Sequence, residues 1–228
     1  MLSTYNGTLK SLIYAAVFRI FTPGAAATRV PVLLLGVLTI WLFYLLLRRI
    51  SCKPAAVAGC LLLATDSVFL LTTVFDWGPV ALQHLLLVAG LFLLMRFYQE
   101  GPRKKDAALA GGAFLLGLAM WDKALAVWML SGIGVAGVLT FPRQILAVTT
   151  KRRVAIAALA FTLGALPLLI YNAANRGGTF LGNYTRESGS IASKARMLRD
   201  TARGVGLLGL MFFEDWQTPA PHQPHGFA

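Results

Sequence analysis

From residue 30 to 171 the chain is a succession of apolar runs cut by short turns that carry Lys and Arg. A run of roughly 20 apolar residues crosses a bilayer as a helix, because in lipid the backbone must satisfy its own hydrogen bonds. This pattern predicts spans at 30–47, 55–71, 80–95 and 154–171. Two shorter runs, 107–120 and 124–140, meet at Trp121-Asp122-Lys123. Basic residues flank that pair on both sides, which favours a hairpin over one long kinked segment.

A content of 57% hydrophobic and 13% charged residues excludes an ordinary soluble domain. The expected fold is all-α, a polytopic transmembrane helical bundle with exterior interfacial amphipathic helices. It forms one membrane domain over 1–228: an exterior interfacial helix within 5–29, about six transmembrane segments within 30–171, and an exterior loop with an amphipathic helix and tail over 172–228. A formal net charge of +12 raises the question of nucleic acid. The cations are dispersed between apolar runs instead of forming one basic face, so they read as topology signals and lipid contacts, with no nucleic acid as partner. Cys52 and Cys60 define neither a disulfide framework nor a metal cluster. Residues 2–7 lack the basic and apolar regions of a signal peptide. The first span is therefore expected near Val30, unless the chain begins downstream of an element that longer relatives possess.

The basic turns near 48–53, 96–105 and 143–153 mark one face as cytosolic, which places the connections at 66–79 and 122–123 outside. Asp76, in Thr72-Thr73-Val74-Phe75-Asp76-Trp77-Gly78-Pro79, is the leading catalytic candidate. An acid there also suits a helix N-terminus, and only the gathering of other polar groups on the same face raises the catalytic reading. Asp66 lies in the later half of a span, where a carboxylate costs on the order of 2.5–3.5 kcal/mol and calls for a polar cavity or a partner. Gln83 and His84 should line the bundle interior, His84 as a structural residue more readily than as a ligand. Asp122-Lys123 is either a self-compensating pair at a turn or a place where Lys123 holds phosphate. Asn172 leaves the last span on the exterior side. Over 191–205, Arg196, Arg199 and Arg203 share one side of an amphipathic helix that rests on headgroups or grips an anion.

Tyr5-Asn6-Gly7-Thr8-Leu9-Lys10, Arg29-Val30-Pro31, Ala64-Thr65-Asp66, Asp76-Trp77-Gly78-Pro79 and Gly117-Leu118-Ala119-Met120-Trp121-Asp122-Lys123 follow one another in an order that resembles the C-type superfamily of integral-membrane glycosyltransferases. The nearest branch is the one with protein O-mannosyltransferases and lipid A aminoarabinose transferases. The resemblance runs from about Tyr5 to Tyr171. It implies a sugar moved from a polyprenyl-phosphate donor to a protein, lipid or glycan acceptor on the exterior face, which is periplasmic, extracellular or lumenal; the expected location is a bacterial inner or plasma membrane. Asp76 would be the base, and Asp66, Lys123, Asn172, Arg196, Arg199 and Arg203 would contact substrate, the cations meeting phosphate. No cofactor is certain. Some members of the superfamily use a divalent metal, but one isolated acid does not assign metal ligands here. Members also carry a span and a principal acid ahead of the interfacial helix, so the chain is expected to be a truncated member with a partial C-type fold. The alternative is a non-enzymatic membrane protein, a carrier or an assembly subunit. A carrier would show internal repeats and broken spans in matching halves, and none is visible.

Overall fold

A computed structural model describes residues 6–74, 78–99, 102–181 and 191–202. The chain divides into two units, Met1–Tyr184 and Thr185–Ala228. In the first, the helices are α1 (Leu9–Ile20), α2 (Ala25–Ile50), α3 (Lys53–Thr65), α4 (Ser67–Val74), α5 (Val80–Gln99), α6 (Pro102–Asp122), α7 (Ala126–Thr140), α8 (Pro142–Val148), α9 (Lys151–Ala174) and α10 (Gly178–Leu181). The second contains α11 (Ile191–Ala202). The all-α expectation holds: the protein is an integral, multi-pass helical bundle.

Among the described residues, α2, α5 and α9 are each long and apolar enough to cross a membrane, and two bent pairs, α3 with α4 and α7 with α8, bring the number to as many as five. The run expected to be one span at 55–71 is broken by 61° between α3 and α4. Asp66 sits at the break in an extended conformation, and its carboxylate accepts the Phe69 backbone N–H at 2.7 Å, so it caps α4. The 101° bend between α7 and α8 follows Phe141, with Pro142 opening the second helix. Pro31 and Pro167 lie inside α2 and α9, where lipid-embedded helices tolerate proline.

Helix α6 packs between α5 and α9. Its sequence, rich in Ala and Gly, explains the closeness of both contacts. A β-carbon on Gly117 would strike the Phe161 carbonyl oxygen, and one on Gly164 would strike that of Phe114. Toward α5, a β-carbon on Gly112 would lie 3.0 Å from the Gly90 carbonyl oxygen. Around these crossings Leu82, Leu86, Leu87 and Ala119 form one buried cluster, while Met120, Ala124, Ala126, Ala165 and Leu168 form another.

The bundle has two chemically distinct ends. At the basic end, Arg49 and Gln99 exchange hydrogen bonds of 3.1 and 2.9 Å, Arg152 pairs with Asp106 at 2.7 Å, and the Arg153 guanidinium lies 5.4 Å from the Phe97 ring centre. The opposite end holds the 78–79 turn, the start of α5, residues 121–125 and the entry to α1. We predict that Gly117→Val lowers the thermal midpoint of the detergent-solubilised protein, overpacking costing about 1–3 kcal/mol or more. Gly132→Ala, with nothing within 4 Å of its added carbon, leaves the midpoint unchanged. A fluorescence-monitored melt checks both.

Candidate functional site

Few polar side chains are buried in this bundle, so those gathered at the end opposite the basic turns stand out. Asp122, the last residue of α6, is fully buried, although the sequence allowed it to be half of a solvated pair with Lys123. Neither of its carboxylate oxygens closes a hydrogen bond to a described residue; the Lys10 backbone N–H and ammonium are among the groups that counter the cost of its burial. The backbone around it is tied to the start of α1. Gly7 donates its N–H to the Asp122 carbonyl at 2.9 Å, and Asn6 forms an isolated antiparallel bridge with Lys123. Thr8, the N-cap of α1, makes no side-chain cap of its own.

Lys123 follows directly and is half-buried. Burial lowers the pKa of its ammonium from the ordinary lysine value, while the Asp122 carboxylate opposes that shift. Its carbonyl oxygen accepts a 3.4 Å hydrogen bond from the side-chain amide of Gln83, which is 5% exposed. Beside Gln83, the His84 ring stacks on Phe69 with centres 5.9 Å apart, and its Nδ1 is buried without a hydrogen bond among the described residues. Lys123 and Asp66 both act electrostatically on this ring. Gln83 thus lines the interior as the sequence implied, and His84 packs beside it against Phe69 of α4.

From the first turn of α1, the Lys10 ammonium donates to the Gly78 carbonyl at 2.6 Å and lies 5.5 Å from the Tyr14 ring centre. Tyr14 in turn donates its hydroxyl to the Thr28 carbonyl at the start of α2, 2.5 Å away. Gly78 adopts φ +65°, a conformation that favours glycine, at the turn into α5. Asn6, Lys10, Ser11, Tyr14, Thr28 and Gly78 line a cavity of about 400 Å³, with Phe18 and Pro79 as apolar walls. The polar side of α1 faces this cavity. Its apolar stripe is largely uncovered, with Leu12 58% and Ile20 78% exposed.

The candidate residues fall into four groups. Lys123 belongs to the polar end, whereas Asp66 caps α4, the helix whose Phe69 stacks on His84. Asn172 is occupied locally: its amide donates to the Leu168 carbonyl at 2.9 Å and its side-chain oxygen accepts the Thr179 N–H at 3.1 Å, folding α10 back beyond α9. Arg196 and Arg199 lie on α11 in the second unit, where Arg199 also approaches the Asp200 carboxylate at 3.7 Å. Asp76 and Arg203 lie outside the described residues. Sequence reasoning quoted Gly7 and Lys10 within the first motif but assigned neither a role; the Gly-Thr pair directly before an amphipathic run was the available signal. Among the described residues, no three of His, Cys, Asp and Glu gather in a way that could hold a metal ion.

The family model described as dolichyl-phosphate-mannose-protein mannosyltransferase matches residues 8–171. No curated protein and no solved structure matches the chain.

If Asp66 serves chiefly as a cap, Asp66→Asn keeps the thermal midpoint and Asp66→Ala loses about 0.5–2 kcal/mol of stability, since Asn caps nearly as well as Asp. Parallel melts of the two variants make the comparison. A loss of function in Asp66→Asn at unchanged stability would instead assign it a substrate contact.

Proposed function

The chain belongs to the dolichyl-phosphate-mannose-protein mannosyltransferase family, making it a membrane glycosyltransferase of the C-type, and from that premise we propose that it transfers a sugar from a polyprenyl-phosphate donor to a protein, lipid or glycan acceptor. In this reading the basic end of the bundle is cytosolic and the polar end faces the exterior of a bacterial inner membrane, in keeping with the positive-inside rule. The uncovered apolar stripe of α1 then rests in the membrane interface, with its polar side turned to the cavity.

One observation carries the proposal. The start of α1 touches both halves of the candidate machinery: Asn6 pairs with Lys123, and Lys10 holds Gly78, two residues after Asp76 in the sequence. A half-buried ammonium gains more from an incoming phosphate than one in bulk water, because their attraction is less screened. Lys123 therefore suits the phosphate of the donor. The Asp76 carboxylate takes the proton of the acceptor hydroxyl as its oxygen bonds to the anomeric carbon. The bond from that carbon to the phosphate oxygen breaks, and polyprenyl phosphate departs with its added charge next to Lys123. Arg196, Arg199 and Arg203 are anion or headgroup contacts of their own unit in this proposal, Asp66 is a contact to the sugar or acceptor, and Asn172, whose side chain holds the turn into α10, shapes the end of α9.

Transfer of labelled sugar from polyprenyl-phosphate donors into membrane acceptors provides the test. Asp76→Asn should lower turnover by about 10²–10⁴-fold, the usual contribution of a general base. Lys123→Met should weaken use of the donor while leaving the KM for acceptor unchanged. Full transfer by Asp76→Asn would remove that residue from the mechanism.

A further inference from the structure

The contact between residues 6–10 and 121–123 is built more tightly than the seating of an interfacial helix requires. Four features converge on it. The Gly7 N–H bonds the Asp122 carbonyl, and Asn6 pairs with Lys123. A β-carbon on Gly7 would collide with the Trp121 carbonyl oxygen, and would lie 2.7 Å from its carbonyl carbon and 3.0 Å from the indole. Only glycine lets the two backbones meet. The Asp122 carboxylate, wholly removed from solvent, meets the first turn of a helix whose own N-cap supplies no side-chain acceptor. Buried anions are costly, and the free N–H groups and positive dipole end of a helix are among the few groups in an apolar bundle that can offset one. On its other side, Lys123 is fixed through its carbonyl by Gln83 from α5.

We propose that Gly7 and Asp122 are positioning residues for Lys123: together they clasp the entry of α1 onto the end of α6 and so fix the backbone from which the lysine reaches its anion. The functional half of this inference rests on the reading of Lys123 as the phosphate contact; the clasp itself does not. The Lys123 N–H closes the last turn of α6 on the Ala119 carbonyl at 3.1 Å, and its own carbonyl accepts the Ala126 N–H at 2.9 Å. The bridge to Asn6 adds a restraint from the entry of α1, a third element, on the same backbone. A lysine displaced by about an ångström retains its charge but loses its aim at the departing phosphate oxygen, a fault that can cost on the order of 10²-fold in rate.

Two measurements decide the matter. In a chain with Cys52→Ser and Cys60→Ser, cysteines replacing Asn6 and Lys123 should form a disulfide under mild oxidation, because directly opposed residues of an antiparallel bridge lie within its reach. Loss of reaction with a maleimide-polyethylene glycol reports the crosslink. Adding Gly7→Val or Asp122→Leu should abolish it, whereas Asp122→Asn, which keeps an acceptor at the α1 N-terminus, should preserve it. In the sugar-transfer assay, Gly7→Val and Asp122→Leu should each lower kcat/KM for the donor by about 10–100-fold, with the KM for acceptor unchanged and Asp122→Asn retaining most activity. Either substitution should cost nothing further when combined with Lys123→Met, since both act through that side chain.

A crosslink that survives Gly7→Val would overturn the clasp. Equal losses with and without the Lys123→Met substitution would overturn the positioning role. Full transfer by Lys123→Met would instead remove the phosphate reading, while the crosslinks would still decide the clasp.

Discussion

Where a glycine faces the carbonyl of a neighbouring helix so closely that a β-carbon would collide with it, two backbones are locked at a separation no other residue permits. Helix α6 meets α9 in this way through Gly117 and Gly164, and it approaches α5 almost as closely through Gly90 and Gly112. Lipid gives apolar side chains little reason to prefer one another to the membrane, so close packing supplies much of the attraction. These contacts hold the middle of the bundle, and they fix where α6 ends. Because Asp122 and Lys123 lie at that end, the small-residue face of α6 governs the polar site as well as the fold.

The polar end solves an electrostatic problem with backbone groups. A buried carboxylate, a half-buried ammonium and a buried amide share the space above α5 and α6, and the start of α1 supplies N–H groups and a second ammonium to balance them. The break at Asp66 follows the same logic: the carboxylate caps the helix that follows, so the interrupted backbone regains an acceptor where one was lost. The site is thus assembled from helix ends, with strength drawn from groups that a continuous helix would leave engaged.

Much of the architecture was legible in the sequence because membrane spans announce themselves by length and hydropathy. The runs at 30–47, 80–95 and 154–171 correspond to α2, α5 and α9, each helix extending a few residues past the apolar stretch into its flanks. The break in the second run was less legible, since Asp66 reads as one costly residue until the Phe69 N–H is seen to need it. The burial of Asp122 was hidden for a related reason. A neighbouring lysine makes local sense of an acid, while its actual surroundings come from α1, more than a hundred residues earlier in the chain. Asn172 reads as a free polar group at a span's exit, yet its hydrogen bonds are consumed by the turn into α10.

The central claim is that the polar end, with α1, faces the opposite side of the membrane from the basic turns. Thiol labelling in sealed, right-side-out vesicles tests it most directly. Cys52 is exposed beside the basic turn, and the Ala55 backbone N–H lowers the pKa of its thiol, which favours reaction. Ser11 is exposed on α1. With Cys60 replaced by Ser, a membrane-impermeant maleimide should label Ser11→Cys from outside, while Cys52 reacts only after the vesicles are opened. Labelling of both from the same side would contradict the account.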